Sequence, residues 1–240
     1  PRSTLFPYTT LFRSAKTVEA VRVEPGIYES VPFEEDVVSF QSSIPALPVW
    51  ATVLDLPLLT GDDAEDAPWV AASGEPWPGT VAVYASGDGA DWTYQLGLTD
   101  RATMGTTLNA LARQKTGIWD RGSALQVKFT GGSVAGVTRE ALLSGRNAAA
   151  IGNPETNSWE VFQFRDAELI SDDTWALSMR LRGQRGTDGM VPQSWPMGST
   201  VVLLDDALEQ VPGASTWRGV ERRRSEEHTS ELQSPVPHSY

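Results

Sequence analysis

The strongest constraint on the fold lies between Trp159 and Asp188, WEVFQFRDAELISDDTWALSMRLRGQRGTD. The second half of this stretch alternates. Trp175, Leu177, Met179 and Leu181 fall on one side, and Thr174, Ala176, Ser178, Arg180 and Arg182 on the other. A period of two with large residues on one face predicts a half-buried strand, polar on its second face. The first half, Trp159 to Phe164, is aromatic and β-branched, as suits a strand covered on both faces. Ser171-Asp172-Asp173 between them has turn chemistry. Two antiparallel strands are therefore expected, followed by the glycine-punctuated loop Arg182-Gly183-Gln184-Arg185-Gly186-Thr187-Asp188.

The remainder of the chain continues this pattern. Thr17–Val23, Trp50–Leu56, Trp69–Ser73, Arg101–Leu108, Ala124–Phe129, Asn147–Ile151 and Thr200–Leu204 read as strands. Val81–Ser86 and Trp92–Leu98 read as a hairpin around Gly87-Asp88-Gly89-Ala90. Thr138–Ser144 is the one well-signalled helix: Thr138 can cap it, Glu140 favours its positive end, and Gly145 can terminate it. Leu142 and Leu143 are expected to face the sheet. Asp205–Val211 reads as a helical turn. Short strands between Gly/Pro turns predict an all-β chain, with two small antiparallel β-sandwich or barrel-like domains and at most one or two short helices.

The ends differ in character. Thr4–Ser14 and Arg224–Ser234 resemble translated short-read sequencing adapters and are set apart from fold reasoning, as an expression scar would be. The expected organisation is an adapter-derived, disordered segment over 1–14; a strand and extended linker over 15–48; a β domain over 49–116; a second β domain over 117–212 containing the long hairpin; and a largely adapter-derived, disordered tail over 213–240. On this reading the body is a fragment of a longer protein.

Composition narrows the chemistry. There is no cysteine, and both histidines, His228 and His238, lie in or beyond the adapter-like tail. Ser-His-Asp and Cys-His catalysis and ordinary zinc sites are thereby excluded from the body. The formal charge of −12 disfavours nucleic acid and anionic membranes. No apolar run approaches the roughly 18 residues of a membrane span. Thr60-Gly61-Asp62-Asp63-Ala64-Glu65-Asp66 has the oxygens of a calcium loop but not the spacing of one, and reads as a solvated acidic loop. The remaining acids sit mostly in turns, where backbone bonding explains them better than paired-carboxylate hydrolysis does. No cofactor or catalytic group is expected.

Two sets of residues remain as candidates. Arg182, Gly183, Arg185, Gly186 and Thr187 form a glycine–arginine loop without the lysine and helix start of a phosphate loop, so a structural or interface role is expected. Arg180, Arg182 and Arg185 are expected to pair with Glu168, Asp172 or a neighbouring subunit. Trp77, Trp92 and Trp119 lie at turns, where exposed rings can stack on sugars.

The order of several motifs carries a resemblance. Trp119-Asp120-Arg121-Gly122, Leu142–Gly152, Trp159–Phe164 and Arg180–Thr187, preceded by Leu54–Leu59 and Pro76–Gly79, resemble the C-terminal part of the host-specificity tail proteins of gene transfer agents and related siphophage-like tails. The likeness covers most of Val49 to Val211. It implies β-domains near the end of a large tail-tip (baseplate) protein, arranged as a homotrimer and assembled in the bacterial cytoplasm into the virion. It also implies an attachment surface for fibres or receptor-binding parts. The glycosidase-like region of such proteins lies upstream of these motifs, so the resemblance supplies no catalytic residue here. The alternative expectation is a carbohydrate-binding module that contacts host-surface glycans.

Overall fold

The computed structural model describes residues 48–65, 67–87 and 90–211, and the backbone of Arg223–His228. The expectations for residues 1–47, including the Thr17–Val23 strand, lie outside the described residues, as do those for 212–222 and 229–240. All described residues belong to one compact unit that begins at Pro45.

The fold is all-β, built around a barrel of six antiparallel strands. These are β5 (Met104–Thr107), β8 (Leu125–Thr130), β11 (Thr174–Gln184), β10 (Ser158–Ser171), β9 (Ala148–Asn153) and β13 (Thr200–Leu203), in that order around the barrel. β13 pairs with β5, and the long β10–β11 hairpin supplies the pairing that closes the ring. The hairpin turns at Asp172-Asp173, with Asp173 in the left-handed region at φ 54°.

A barrel this narrow is filled by its own side chains. Leu125, Val127, Phe129, Ala149, Ile151, Phe162, Phe164, Leu177 and Val201 meet inside it. The alternation in ALQVKF and in WEVFQF follows from this, since every second residue points to the axis. A two-stranded ribbon, β6 (Leu111–Ala112) with β12 (Ser194–Trp195), adds Leu111 and Trp195 to the same core. β7 (Trp119–Asp120) pairs with Arg180 and Leu181 of β11.

The outer face of β5, β9, β10 and β13 is also apolar. Met104, Ala150, Trp159, Val161 and Val202 pack against Leu54 and Ala71 of β1 (Val49–Leu54) and β2 (Trp69–Gly74). Trp159 lies so close over Gly152 that a Cβ there would be 2.5 Å from the indole, so only glycine admits this ring. The opposite face of β2 packs against β3 (Val81–Ser86) and β4 (Thr93–Leu98) through Val70, Ala72, Val81, Val83 and Leu98. β2 is thus covered on both sides, and its small residues, VAAS, let both layers approach.

Several expectations change at this level. No boundary falls near residue 117: β5, expected in the first domain, is a barrel strand hydrogen-bonded to β8 and β13. Only one face of the five-residue helix α1 (Arg139–Leu143) is covered. Leu142 is buried and Leu143 is 61% exposed, because adjacent helical positions diverge by about 100°. The Asp205–Val211 segment is a turn followed by β14 (Glu209–Gln210), which pairs with β2. In the tail, β15 (Arg223–His228) pairs along the whole of β3. That part of the tail is extended and paired, in contrast to the disorder expected of it, because an edge strand presents unpaired N–H and C=O groups to any extended segment.

Candidate functional site

The glycine–arginine motif builds a buried charge cluster at the end of the barrel next to β6 and β12. Its geometry begins with a change of face. Leu177 points into the core, and strict alternation would send Met179 and Leu181 after it. Instead Arg180 and Arg182 are buried. Met179 adopts φ 51°, a conformation costing roughly 1–2 kcal/mol for a residue with a Cβ. β10 switches face at the same level, from Phe164 to Ala167, and the pairing register is unchanged on either side: Asp166 opposite Ser178, Phe164 opposite Arg180. Both strands therefore turn together.

The two arginines meet acids from different elements. Arg182 donates from Nε and Nη2 to Oε1 and Oε2 of Glu160 at 2.6 and 2.7 Å, and from Nη1 to the Ala112 carbonyl at 2.9 Å. Glu160 also accepts from the Trp195 indole Nε1 at 2.7 Å and from the Gly183 N–H at 3.1 Å. Arg180 donates from Nε to Oδ2 of Asp120 at 3.0 Å, from Nη1 to the Leu177 carbonyl at 2.7 Å and from Nη2 to the Ser123 carbonyl at 2.9 Å. The second oxygen of Asp120 accepts from the Gly122 N–H. Arg182 Nη1 lies 3.6 Å from Asp120 Oδ2, linking the pairs. Burial pulls the Arg180 guanidinium down from its ordinary value, opposed by the charge and hydrogen bond of Asp120.

Two cations and two anions balance, and each carboxylate accepts from several protein donors. Desolvation of these ions is offset by that geometry. Both carboxylates are committed to protein donors, so the cluster fixes the shape of this end of the barrel. The pairing expected with Glu168 or Asp172 does not form. The acids are Glu160 and Asp120, which sequence reasoning did not single out. A signal was present: Glu160 sits in a strand expected to be covered on both faces, where an acid needs a partner.

The rest of the motif wraps this cluster. Gly183 takes φ +59°, and a Cβ there would lie 2.6 Å from Thr116 Cγ2 and 2.9 Å from the Asp188 Cα. Arg185 is exposed at φ 56°, and Gly186 takes φ 80° ahead of a 3-10 turn, Thr187–Met190. Buried Thr187 accepts from the Val161 N–H at 2.9 Å and donates to the Gln184 carbonyl at 2.7 Å. The motif is a clasp joining the end of β11 to β10.

The three turn tryptophans occupy separate elements. Trp77 packs on the β2–β3–β4 core, and its Nε1 is shared between the carbonyls of Gly79 and Thr99. Trp119 lies in β7 beside β11. Trp92, at the start of the second hairpin strand, is 40% exposed. In the acidic loop, Asp63 accepts from the N–H groups of Leu59 and Thr60 and from the Thr60 hydroxyl, and so stabilises the loop itself. An open cleft of about 720 Å³ runs between Asn153, Ser158, Trp195 and Met197; Glu155 is the one carboxylate among the described residues of its lining.

No curated protein matches the chain. Residues 102–202, which run from just before β5 into β13 and so span the barrel and its charge cluster, match the family model described as Rcc01698-like, C-terminal, a family associated with gene transfer agents.

Proposed function

We propose that this chain is a structural module of a phage-like tail tip, offering an attachment surface for fibres or receptor-binding proteins during host recognition. It acts by holding partners in place, not by transforming a substrate. The observation that carries this reading is the coincidence between the family match and the barrel: the matched residues are those whose charges are spent on one another in a rigid, saturated cluster. A stiff closed barrel suits a load-bearing position, because closure removes free sheet edges. In this reading the module stands around the tail axis as a homotrimer within the virion, after assembly in the bacterial cytoplasm.

Immunogold electron microscopy tests the proposal directly. Antibodies raised against residues 102–202 are expected to decorate the tip of tailed particles released by the bacterium that carries the gene. Decoration of the capsid or tail tube, or protein found only in particle-free fractions, overturns it.

A further inference from the structure

We infer that the outer face of the β3–β4 sheet carries a stacking platform for a neutral sugar ring, built from Tyr94 and Tyr84. The inference stands independently of the tail-tip reading and lies outside the family match.

The platform depends on a break in alternation. Leu96 and Leu98 of β4 pack toward the core with Val81 and Val83. Regular alternation would send Tyr94 there too. The pairing shifts instead: Val83 is opposite Leu96, but Tyr84 is opposite Tyr94, leaving Gln95 as the extra residue of a bulge. Bulges of this kind re-aim a side chain. Here the bulge moves Tyr94 to the outer face, where it is 57% exposed.

Once there, the ring lies down along the strand. A Cβ on Gly97 would be 3.2 Å from the Tyr94 hydroxyl, so the phenol end rests over a residue that has no side chain. Tyr84 stands beside it with ring centroids 5.8 Å apart and planes at 75°. The pair forms a floor and a wall, with the Tyr94 hydroxyl at the edge over Gly97.

Size and charge select the occupant. The exposed surface of Tyr94 amounts to about 110 Å², taking ~150–250 Å² per ring. That is far below the roughly 800 Å² each partner contributes to a stable protein interface. It is close to the footprint of one pyranose ring, whose apolar C–H face stacks on an aromatic while its hydroxyls meet the polar rim. A formal charge of −12 disfavours acidic sugars and phosphates.

Saturation-transfer NMR on the full chain, with maltotriose, cellotriose and chitotriose as probes and a proline decapeptide as competitor, decides the matter. At least one trisaccharide is expected to bind saturably at millimolar concentration. Tyr94→Ala should weaken it about tenfold, the loss expected of one stacking contact. Gly97→Val, which lifts the phenol from its seat, should weaken it as well, while Trp119→Ala retains it. Unchanged thermal unfolding of Tyr94→Ala separates lost binding from lost fold. No saturable binding of any trisaccharide, binding that survives Tyr94→Ala, or binding of the peptide in preference to the sugars overturns the inference.

Discussion

Arg182 and Glu160 face each other across β10 and β11 with two hydrogen bonds of 2.6 and 2.7 Å, both side chains fully buried. Removing one partner strands the other charge in the core, which typically costs 3–5 kcal/mol. Glu160→Leu and Arg182→Leu are therefore each expected to lower unfolding free energy by about that amount. The double substitution should cost clearly less than the sum, because neither charge is left uncompensated. Urea denaturation of the four proteins of this cycle measures the coupling. Strictly additive losses would mean the pair contributes nothing to the barrel beyond its separate side chains.

The Gly183 and Gly186 positions separate two reasons for a glycine. Both have positive φ, but a Cβ at 186 meets nothing within 4 Å, whereas at 183 it meets Thr116 and the backbone of Asp188. Gly186→Ala should cost about 1 kcal/mol, from conformation alone. Gly183→Ala adds a clash with main chain that cannot move aside, and should cost at least twice that. Equal losses in chemical denaturation would remove the steric half of this account.

How much of this was legible in the sequence depends on which interactions are local. The hairpin, its turn at Asp172-Asp173, the α1 cap and most strands follow from period, turn chemistry and capping within a few residues of each other. Thr138 does accept from the Ala141 N–H as its position suggests. What alternation could not reveal was its own interruption. Met179 and Gln95 look like ordinary strand residues, and only the observed φ of one and the register of the other show that the face changes there. Arg180 and Arg182 therefore looked solvent-facing. Their partners were hidden for a different reason: Asp120 is 60 residues from Arg180, and nothing local to WDRG specifies the strand it will meet. Barrel closure is likewise non-local. β5 is a weak strand in isolation and is fixed by β8 and β13 on its two sides.

Two acids should move stability with pH in opposite directions. Partial burial pushes the Asp63 carboxyl up, but hydrogen bonds from Thr60 and Leu59 and the nearby Arg185 charge outweigh it, holding the group below its ordinary 3.8. Its contribution is present above 3.8 and lost as pH falls through the folded value. Asp63→Asn should thus be less stable than the parent at neutral pH, with the difference closing in strong acid. Asp205 is raised, first by desolvation of its carboxyl and then by the charges of Asp206 and Asp100, and its hydrogen bond from Ala207 only partly offsets this. Its ionised form opposes folding above the folded value and ceases to do so below 3.8. Asp205→Asn should be the more stable protein at neutral pH and indistinguishable below that. Neither side chain is fully buried, so screening keeps each difference under about 1 kcal/mol. Thermal unfolding from pH 2 to 8 reads both signs, and a shift of the same sign in the two variants contradicts the assignment.

The packing of β1 and β2 on the barrel predicts what excision will do. A chain trimmed to residues 102–204 keeps every barrel strand, together with Glu160, Arg180, Arg182 and Asp120. It also uncovers Met104, Ala150, Trp159, Val161 and Val202 on one side, which in the longer chain lie against Leu54, Leu56, Ala71 and Leu208. At roughly 25 cal/mol per Å², one fully buried large apolar side chain contributes about 1.5–3 kcal/mol, so exposing several removes much of a typical domain's margin. The trimmed chain is expected to bind a hydrophobic dye, to self-associate in size-exclusion chromatography and to melt well below the full chain. Replacing Trp159 and Val161 with polar residues should reduce the association without restoring the stability. A monomeric, dye-silent barrel with an undiminished melting temperature would mean that β1 and β2 merely rest on the barrel, and that the boundary expected between two independent β domains exists after all, displaced toward residue 102.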